Sequence, residues 1–318
     1  MNGHTAEVIP LPRRSLDGSV HMRPTTVARP PAPVTELRPR PAEPQSFLAG
    51  AARFLRRRLT GEYPVDDFGF DPELTDVLMP PLRAVYDKWF RVSVTGSLPA
   101  GTGALVVANH SGTLPWDALM TAIAVHDNHP EGRHLRMLGA DLVFQVPVLG
   151  SLARKTGTTL ACGADAQRLL RAGEVVGVWP EGFKGIGKPF RERYRLQRFG
   201  RGGFVTTALR AGVPIIPCSI VGAEEIYPKI ADIPPLAKLL GLPYFPVTPL
   251  FPLLGPLGAV PLPTKWTIDF GEPIRTDLAA PDTDQDHALV LEIADQVRET
   301  IQGNLNRMVA ARESVFRG

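Results

Sequence analysis

ALVVANHSGTLPWDALM, residues 104–120, is the stretch on which the fold turns. An apolar run ends in Asn109-His110. Gly112 and Pro115 then break the chain, and Asp117 opens a second apolar stretch with helical spacing. An imidazole at the mouth of a buried strand, with a carboxylate seven residues on, has two readings. In one, the carboxylate orients the imidazole as half of a catalytic His–Asp pair. In the other, His110 ends a strand and Asp117 only caps the following helix.

Outward from this stretch the pattern repeats. Short apolar runs at 103–108, 134–139, 174–179, 214–221 and 266–270 read as strands. Helical patterns fall between them near 117–126, 143–154, 164–172 and 202–211. Alternation of this kind predicts an α/β fold, a largely parallel central sheet flanked by helices. A last amphipathic helix is predicted over about 285–312, with Leu289, Ile293, Val297, Ile301, Leu305 and Met308 forming a core-facing stripe. The sequence holds no internal repeat.

The flanking segments differ in character. Residues 1–45 are rich in Pro and Arg and poor in aromatics, so they read as a disordered tail. Residues 46–84 form a helical region, and the main domain is expected over 85–318. Within the helical region, FLAGAARFLRRRL (47–59) places its apolar residues on one arc with Arg53, Arg56 and Arg57 opposite, while Arg58 breaks the pattern. Such a helix lies in an anionic membrane interface or packs on the domain, and the sequence leaves both open. From Leu239 to Thr264 there is no charged residue. This length suits a membrane span, but seven prolines spread from Pro243 to Pro263 argue against a helix. An irregular apolar insertion is expected instead, one that packs on the domain, lines a groove or dips into an interface.

Composition narrows the function. The 318 residues carry 35 Lys and Arg against 32 Asp and Glu, a formal charge of +3 that argues against a dedicated nucleic-acid binder. Two cysteines, Cys162 and Cys218, are far apart, with neither metal-ligand spacing nor a disulfide framework, which suggests a reducing compartment. No apolar core of a secretion signal is expected at the N-terminus. No G-x-S-x-G supports a serine-hydrolase elbow, and no metal site or dinucleotide fingerprint stands out.

Three strand ends carry polar residues: Asn109-His110, Pro180-Glu181-Gly182, and the segment after 215–221. Ligands of open α/β sheets gather at such carboxyl ends. The order NHxxxxxxD, PEG with a nearby basic residue, then VPIIPCSIVG resembles the glycerolipid acyltransferase superfamily over roughly residues 85–275. The resemblance implies that His110 is the general base on an acceptor hydroxyl and that Asp117 fixes its tautomer. It implies substrate-binding roles for Asn109, Glu181, Gly182, Lys184 and Pro214. Lys184 stands where the motif commonly has Arg, and Pro214 opens the strand of the last motif. It further implies a fatty acyl donor, acyl-CoA or acyl carrier protein, and a glycerolipid or lysophospholipid acceptor. No cofactor or metal is implied.

Two departures bear on this. Six residues separate His110 from Asp117 where the family commonly has four, and Phe183 replaces a small residue. With the apolar insertion, they shift the resemblance toward the branch related to diacylglycerol acyltransferases, whose acceptors are more apolar. The longer spacing also keeps open a catalytically silent lipid-binding protein on the same fold, and a lipid-ester hydrolase is a further alternative. Lys184, Lys188, Arg191, Arg193, Arg195, Arg198 and Arg201 face only Glu192 in sequence. That run is a solvated charge cluster or an electropositive wall for phosphates and anionic lipid. The expected location is the cytoplasmic side of a membrane, peripheral or monotopic, against an anionic surface.

Overall fold

The computed structural model describes residues 47–317 except 62, 113, 147, 242 and 280–282, and only the backbone of 47–53. The expected tail over 1–45 lies outside the described residues. The strands are β1 (Ser93–Gly96), β2 (Ala104–Ala108), β3 (Leu135–Gly139), β4 (Thr159–Leu160), β5 (Val175–Val178), β6 (Ile215–Val221), β7 (Ala231–Asp232), β8 (Pro246–Val247) and β9 (Thr267–Phe270). The α-helices are α1 (Phe47–Thr60), α2 (Pro72–Ala84), α3 (Trp116–Asn128), α4 (Asp141–Gln145), α5 (Leu149–Lys155), α6 (Gly163–Arg171), α7 (Phe183–Ile186), α8 (Gly203–Ala211), α9 (Pro234–Leu239) and α10 (His287–Ala311).

Seven strands form one sheet in the order β1-β9-β6-β2-β5-β3-β4. The six strands other than β9 are joined in parallel pairs wherever they neighbour one another, and β9 runs antiparallel to β6 and parallel to β1. Every residue of β2 and β6 is buried, as continuous apolar runs in the middle of a covered sheet must be. On one face Val106, Ala108 and Ile216 pack with Met120, Ile123, Phe90 and Trp266. On the other, Leu105, Val107 and Val176 pack with Leu169, Val205 and the Ile293–Val297–Ile301–Leu305 stripe of α10. The result is three layers with the sheet in the middle, the α/β architecture that the alternating pattern predicts.

Three details differ from the sequence reading. The helix expected over 143–154 is two helices, α4 and α5, broken near Val148, which adopts φ +66°. The edge strands β1 and β4 are too short, at four and two residues, to announce themselves. Arg58, off the arc in α1, forms an ion pair with Asp71, whose side chain is fully buried and also accepts a hydrogen bond from Leu74 N at 3.0 Å to cap α2. Together with the Arg57–Glu73 pair, this ties α1 to α2. In turn α2 is tied to α3 through Arg83 Nη2, which donates to Asp127 Oδ1 at 2.8 Å.

The 239–264 insertion belongs to an irregular lobe between β6 and β9. It contains the antiparallel pair β7–β8, α9 and a 3-10 turn over Gly255–Ala259. Among the described residues no helix is long and apolar enough to cross a membrane.

The lobe departs from the sheet at Gly222, which adopts φ +103°. A Cβ there would stand 2.5 Å from Lys265 O and 2.7 Å from Trp266 Cδ1. Backbone strain and overlap act together, so Gly222→Ala is expected to lower stability by about 3 kcal/mol, read as a lower urea midpoint at unchanged m-value. An unshifted midpoint would show that the turn relaxes without cost.

Candidate active site

The carboxyl ends of β2, β5 and β6 meet at one point, and each contributes a polar residue. Asn109 continues the β2–β6 ladder with its side chain, because the backbone turns away there. Ile220 N donates to Asn109 Oδ1 at 2.7 Å, and Asn109 Nδ2 donates to Ile220 O at 3.0 Å. The next residue, His110, is thereby held at the sheet's edge with its imidazole partly exposed, 22 %.

Asp117 lies in the first turn of α3 and is fully buried. Its Oδ2 is 2.6 Å from His110 Nδ1 and accepts from Ser111 N at 2.9 Å, while its Oδ1 accepts from Ala118 N at 2.8 Å. The capping reading of Asp117 is corrected: Pro115 holds the N-cap position without a side-chain hydrogen bond, while Asp117 sits inside the first turn and grips the imidazole. The six-residue connection closes because Gly112 takes φ +76°, a conformation other residues rarely adopt. A carboxylate only accepts, so Nδ1 carries a proton, and in the neutral ring Nε2 is then the nitrogen with the free lone pair.

Glu181 follows β5 and is buried, and its oxygens are committed to the protein. Oε1 accepts from the backbone N of His110 at 3.0 Å, and Oε2 accepts from Gln197 N at 2.7 Å and lies 3.4 Å from Lys188 Nζ. Lys188 Nζ also pairs with Glu224 Oε2 at 3.0 Å. Glu224 accepts from Tyr194 N at 3.0 Å and from Asn109 Nδ2 at 3.4 Å. A closed circuit results: the His110 backbone, Glu181, Lys188, Glu224, Asn109 and back to His110. Burial pushes the Glu224 carboxyl above its ordinary pKa, against the pull of Lys188.

Sequence reasoning missed Lys188, Glu224 and Gln197. Lys188 lay within an apparently solvated basic run, although its spacing of seven residues from Glu181 was visible. The structure separates the residues that had been grouped. Asn109, His110, Asp117 and Glu181 come together. Gly182 is exposed at the turn into α7, and Lys184 on α7 is also exposed. Pro214 is buried at the opposite end of β6, where its carbonyl accepts from Leu105 N at 3.0 Å. The pocket-shaping role expected of Pro214 is corrected to the other end of its strand, Ile220 to Glu224, because β2 and β6 are parallel and His110 follows the end of β2.

The residues after His110 line a narrow cleft, bounded by Ser111, Gly112, Lys188, Arg193, Tyr227 and Lys229 among others. Arg193 is 3.9 Å from Glu225 and donates to Phe190 O at 3.3 Å; Lys229 is 3.9 Å from Asp232 and donates to Gly187 O at 2.8 Å. Trp116 donates to Tyr227 OH at 3.0 Å, and that hydroxyl donates to Ala259 O at 2.5 Å, which joins the head of α3 to the lobe. Among the described residues no group of three or more His, Cys, Asp or Glu side chains is arranged to hold a metal ion.

A family model described as Acyltransferase matches residues 90–221, the segment that contains all three strand ends. Uncharacterized proteins of Mycobacterium tuberculosis and Mycobacterium bovis are each 57% identical over 282 residues, covering 87% of this chain and 78% of their own. One of Mycobacterium leprae is 57% identical over 291 residues, covering 90% and 77%. The matched segment puts the chain in the acyltransferase family, together with these mycobacterial relatives. The crystal structure of the 1-acyl-sn-glycerophosphate acyltransferase PlsC from Thermotoga maritima shares the fold of this acyltransferase. It has a TM-score of 0.50 at 18% identity and covers 84% of this chain and 90% of that one.

In the acyltransferase, Lys188 is the only cation placed between the buried Glu181 and Glu224 among the described residues. Lys188→Met leaves two carboxylates facing each other out of water. It is expected to cost about 3–5 kcal/mol, measured as a shift in denaturant midpoint. A variant as stable as the parent would show the circuit to be slack.

Proposed function

We propose that this acyltransferase moves a fatty acyl group from a thioester, acyl-CoA or acyl carrier protein, to a hydroxyl of a glycerolipid or lysophospholipid. The observation that carries the reading is the 2.6 Å contact between His110 Nδ1 and the buried Asp117, next in the chain to the cleft residues Ser111 and Gly112. His110 Nε2 takes the proton of the acceptor hydroxyl as its oxygen attacks the thioester carbonyl carbon. The tetrahedral intermediate collapses, the C–S bond breaks, and the thiol leaves with the proton from the imidazolium. Asp117 stabilises that imidazolium and holds its orientation.

The acceptor's polar group meets Arg193 and Lys229 in the cleft. Glu181 acts through the His110 backbone, since its two oxygens are occupied by protein donors. The longer His–Asp spacing, which had favoured a silent lipid-binding protein, does not part the pair. The enzyme acts on acceptors held in a membrane.

The test is acyl transfer from labelled oleoyl-CoA or palmitoyl-CoA to a panel of glycerol-3-phosphate, lysophosphatidate, other lysophospholipids, monoacylglycerol and diacylglycerol. Wild type is expected to acylate at least one. His110→Ala and Asp117→Asn are each expected to lower kcat/KM by about 100-fold or more. Equal rates in wild type and His110→Ala would remove His110 as the base. Free fatty acid released at the same rate without any acceptor would assign a hydrolase.

A further inference from the structure

A hydroxyl held out of water with no hydrogen-bond partner costs stability, and its presence calls for an explanation. Ser111 carries one. The residue is 2% exposed, and its Oγ is enclosed and makes no hydrogen bond. Other described side chains also bury an unpartnered polar atom, but among them Ser111 alone lines the cleft that follows His110. Its backbone is tied to the His110–Asp117 pair. Ser111 N donates to Asp117 Oδ2 at 2.9 Å, and the same oxygen lies 2.6 Å from His110 Nδ1. One carboxylate oxygen therefore fixes the imidazole and the serine relative to each other. The next cleft residue, Gly112, has no side chain with which to cover the hydroxyl. The carboxylate in the same lining, Glu224, is taken up by Lys188, Tyr194 N and Asn109 Nδ2. The serine's proton is thus left for a ligand. A second unpartnered donor, Trp179 Nε1, belongs to a ring whose centroid is 6.0 Å from that of His110. Trp179 sits in the apolar core on the α3 side of the sheet and does not line the cleft.

We propose that Ser111 Oγ donates a hydrogen bond to the carbonyl oxygen of the acyl thioester as that oxygen becomes negatively charged. The inference rests on the acyltransfer reading and adds a catalytic residue to it. As the acceptor oxygen bonds to the carbonyl carbon, its proton passes to His110 Nε2 and the π pair of the carbonyl moves onto oxygen. The Ser111 O–H donates to that oxygen and keeps its own proton. On collapse the pair returns to the C–O bond, the C–S bond breaks, and the departing sulfur takes the proton from the imidazolium. A donor that is already out of water and bound to nothing gives up no partner when the negative oxygen forms. The neutral carbonyl of the bound thioester is a weaker acceptor than the oxyanion. The hydrogen bond therefore strengthens on the way to the transition state, and its loss falls on kcat and not on KM.

The experiment compares wild type, Ser111→Ala and Trp179→Phe of the full chain, using labelled oleoyl-CoA and the acceptor of the panel that wild type acylates. Ser111→Ala is expected to lower kcat by about 100-fold and to leave KM for either substrate unchanged. Its urea midpoint is expected to match or exceed the parent's, because the variant removes no hydrogen bond that the hydroxyl makes within the protein. A lower midpoint that accompanies the lost rate overturns the proposal, since the hydroxyl then serves the fold. A raised KM for the acceptor at unchanged kcat overturns it in favour of a contact with the acceptor's polar group. A rate lost in Trp179→Phe and kept in Ser111→Ala overturns it in favour of the indole N–H. Acyl label found covalently on Ser111 after mixing with oleoyl-CoA alone overturns it in favour of a nucleophile. Wild type that acylates no acceptor removes the acyltransfer reading and this assignment with it, whereas an active wild type matched by Ser111→Ala removes the assignment alone.

Discussion

One lysine ammonium holds the carboxyl ends of the central strands together. Lys188 sits out of water between Glu181 and Glu224, two carboxylates delivered by the ends of different strands. Without the cation, both carboxylates would face each other in low dielectric, and one would have to take up a proton. With it, Glu181 is free to bind the His110 backbone and Glu224 to accept from Asn109. The strand ends are thus fastened electrostatically where the backbone ladder has stopped, and the imidazole is positioned by atoms on both sides of it in sequence. The short His110–Asp117 contact is the outcome of this fastening as much as of the loop between them.

The division of labour among these residues follows from burial. The His110 imidazole, the group of the pair that can meet a ligand, is partly open to solvent. Groups that orient others are fully enclosed, as are Asp117 and Glu181. Both oxygens of the enclosed Glu181 accept from backbone N–H groups, whereas Arg193 and Lys229 line the cleft itself.

How much of this was legible in the sequence depends on how local each signal is. The central strands β2, β5 and β6 and the helix α10 were readable because burial on every side demands uninterrupted or strictly periodic apolar residues. His110, Asp117 and Glu181 were readable from their positions after such runs. Strands β1 and β4 were not, since they are too short to establish a period and exist because a neighbouring strand templates them. Lys188 was not separable from the surrounding basic run, because nothing in its own neighbourhood says that Glu224, far along the chain, will fold back onto it. Pro214 was misplaced for the complementary reason: a motif read as one unit spans a whole strand, and only the far end of that strand reaches the site. Arg58 seemed a flaw in an amphipathic pattern until Asp71 was seen beneath it.

The reversed direction of β9 has a consequence for how such an enzyme changes over evolutionary time. A chain that leaves β6 and re-enters the sheet antiparallel to it must return to the edge from which it left. The lobe is therefore an excursion that begins and ends at the carboxyl end of β6, and no part of it has to travel to the far side of the domain. Closing a longer excursion costs only the logarithm of its length. Residues can be gained, lost or exchanged there while the sheet register, the carboxylate–lysine circuit and the histidine keep their places.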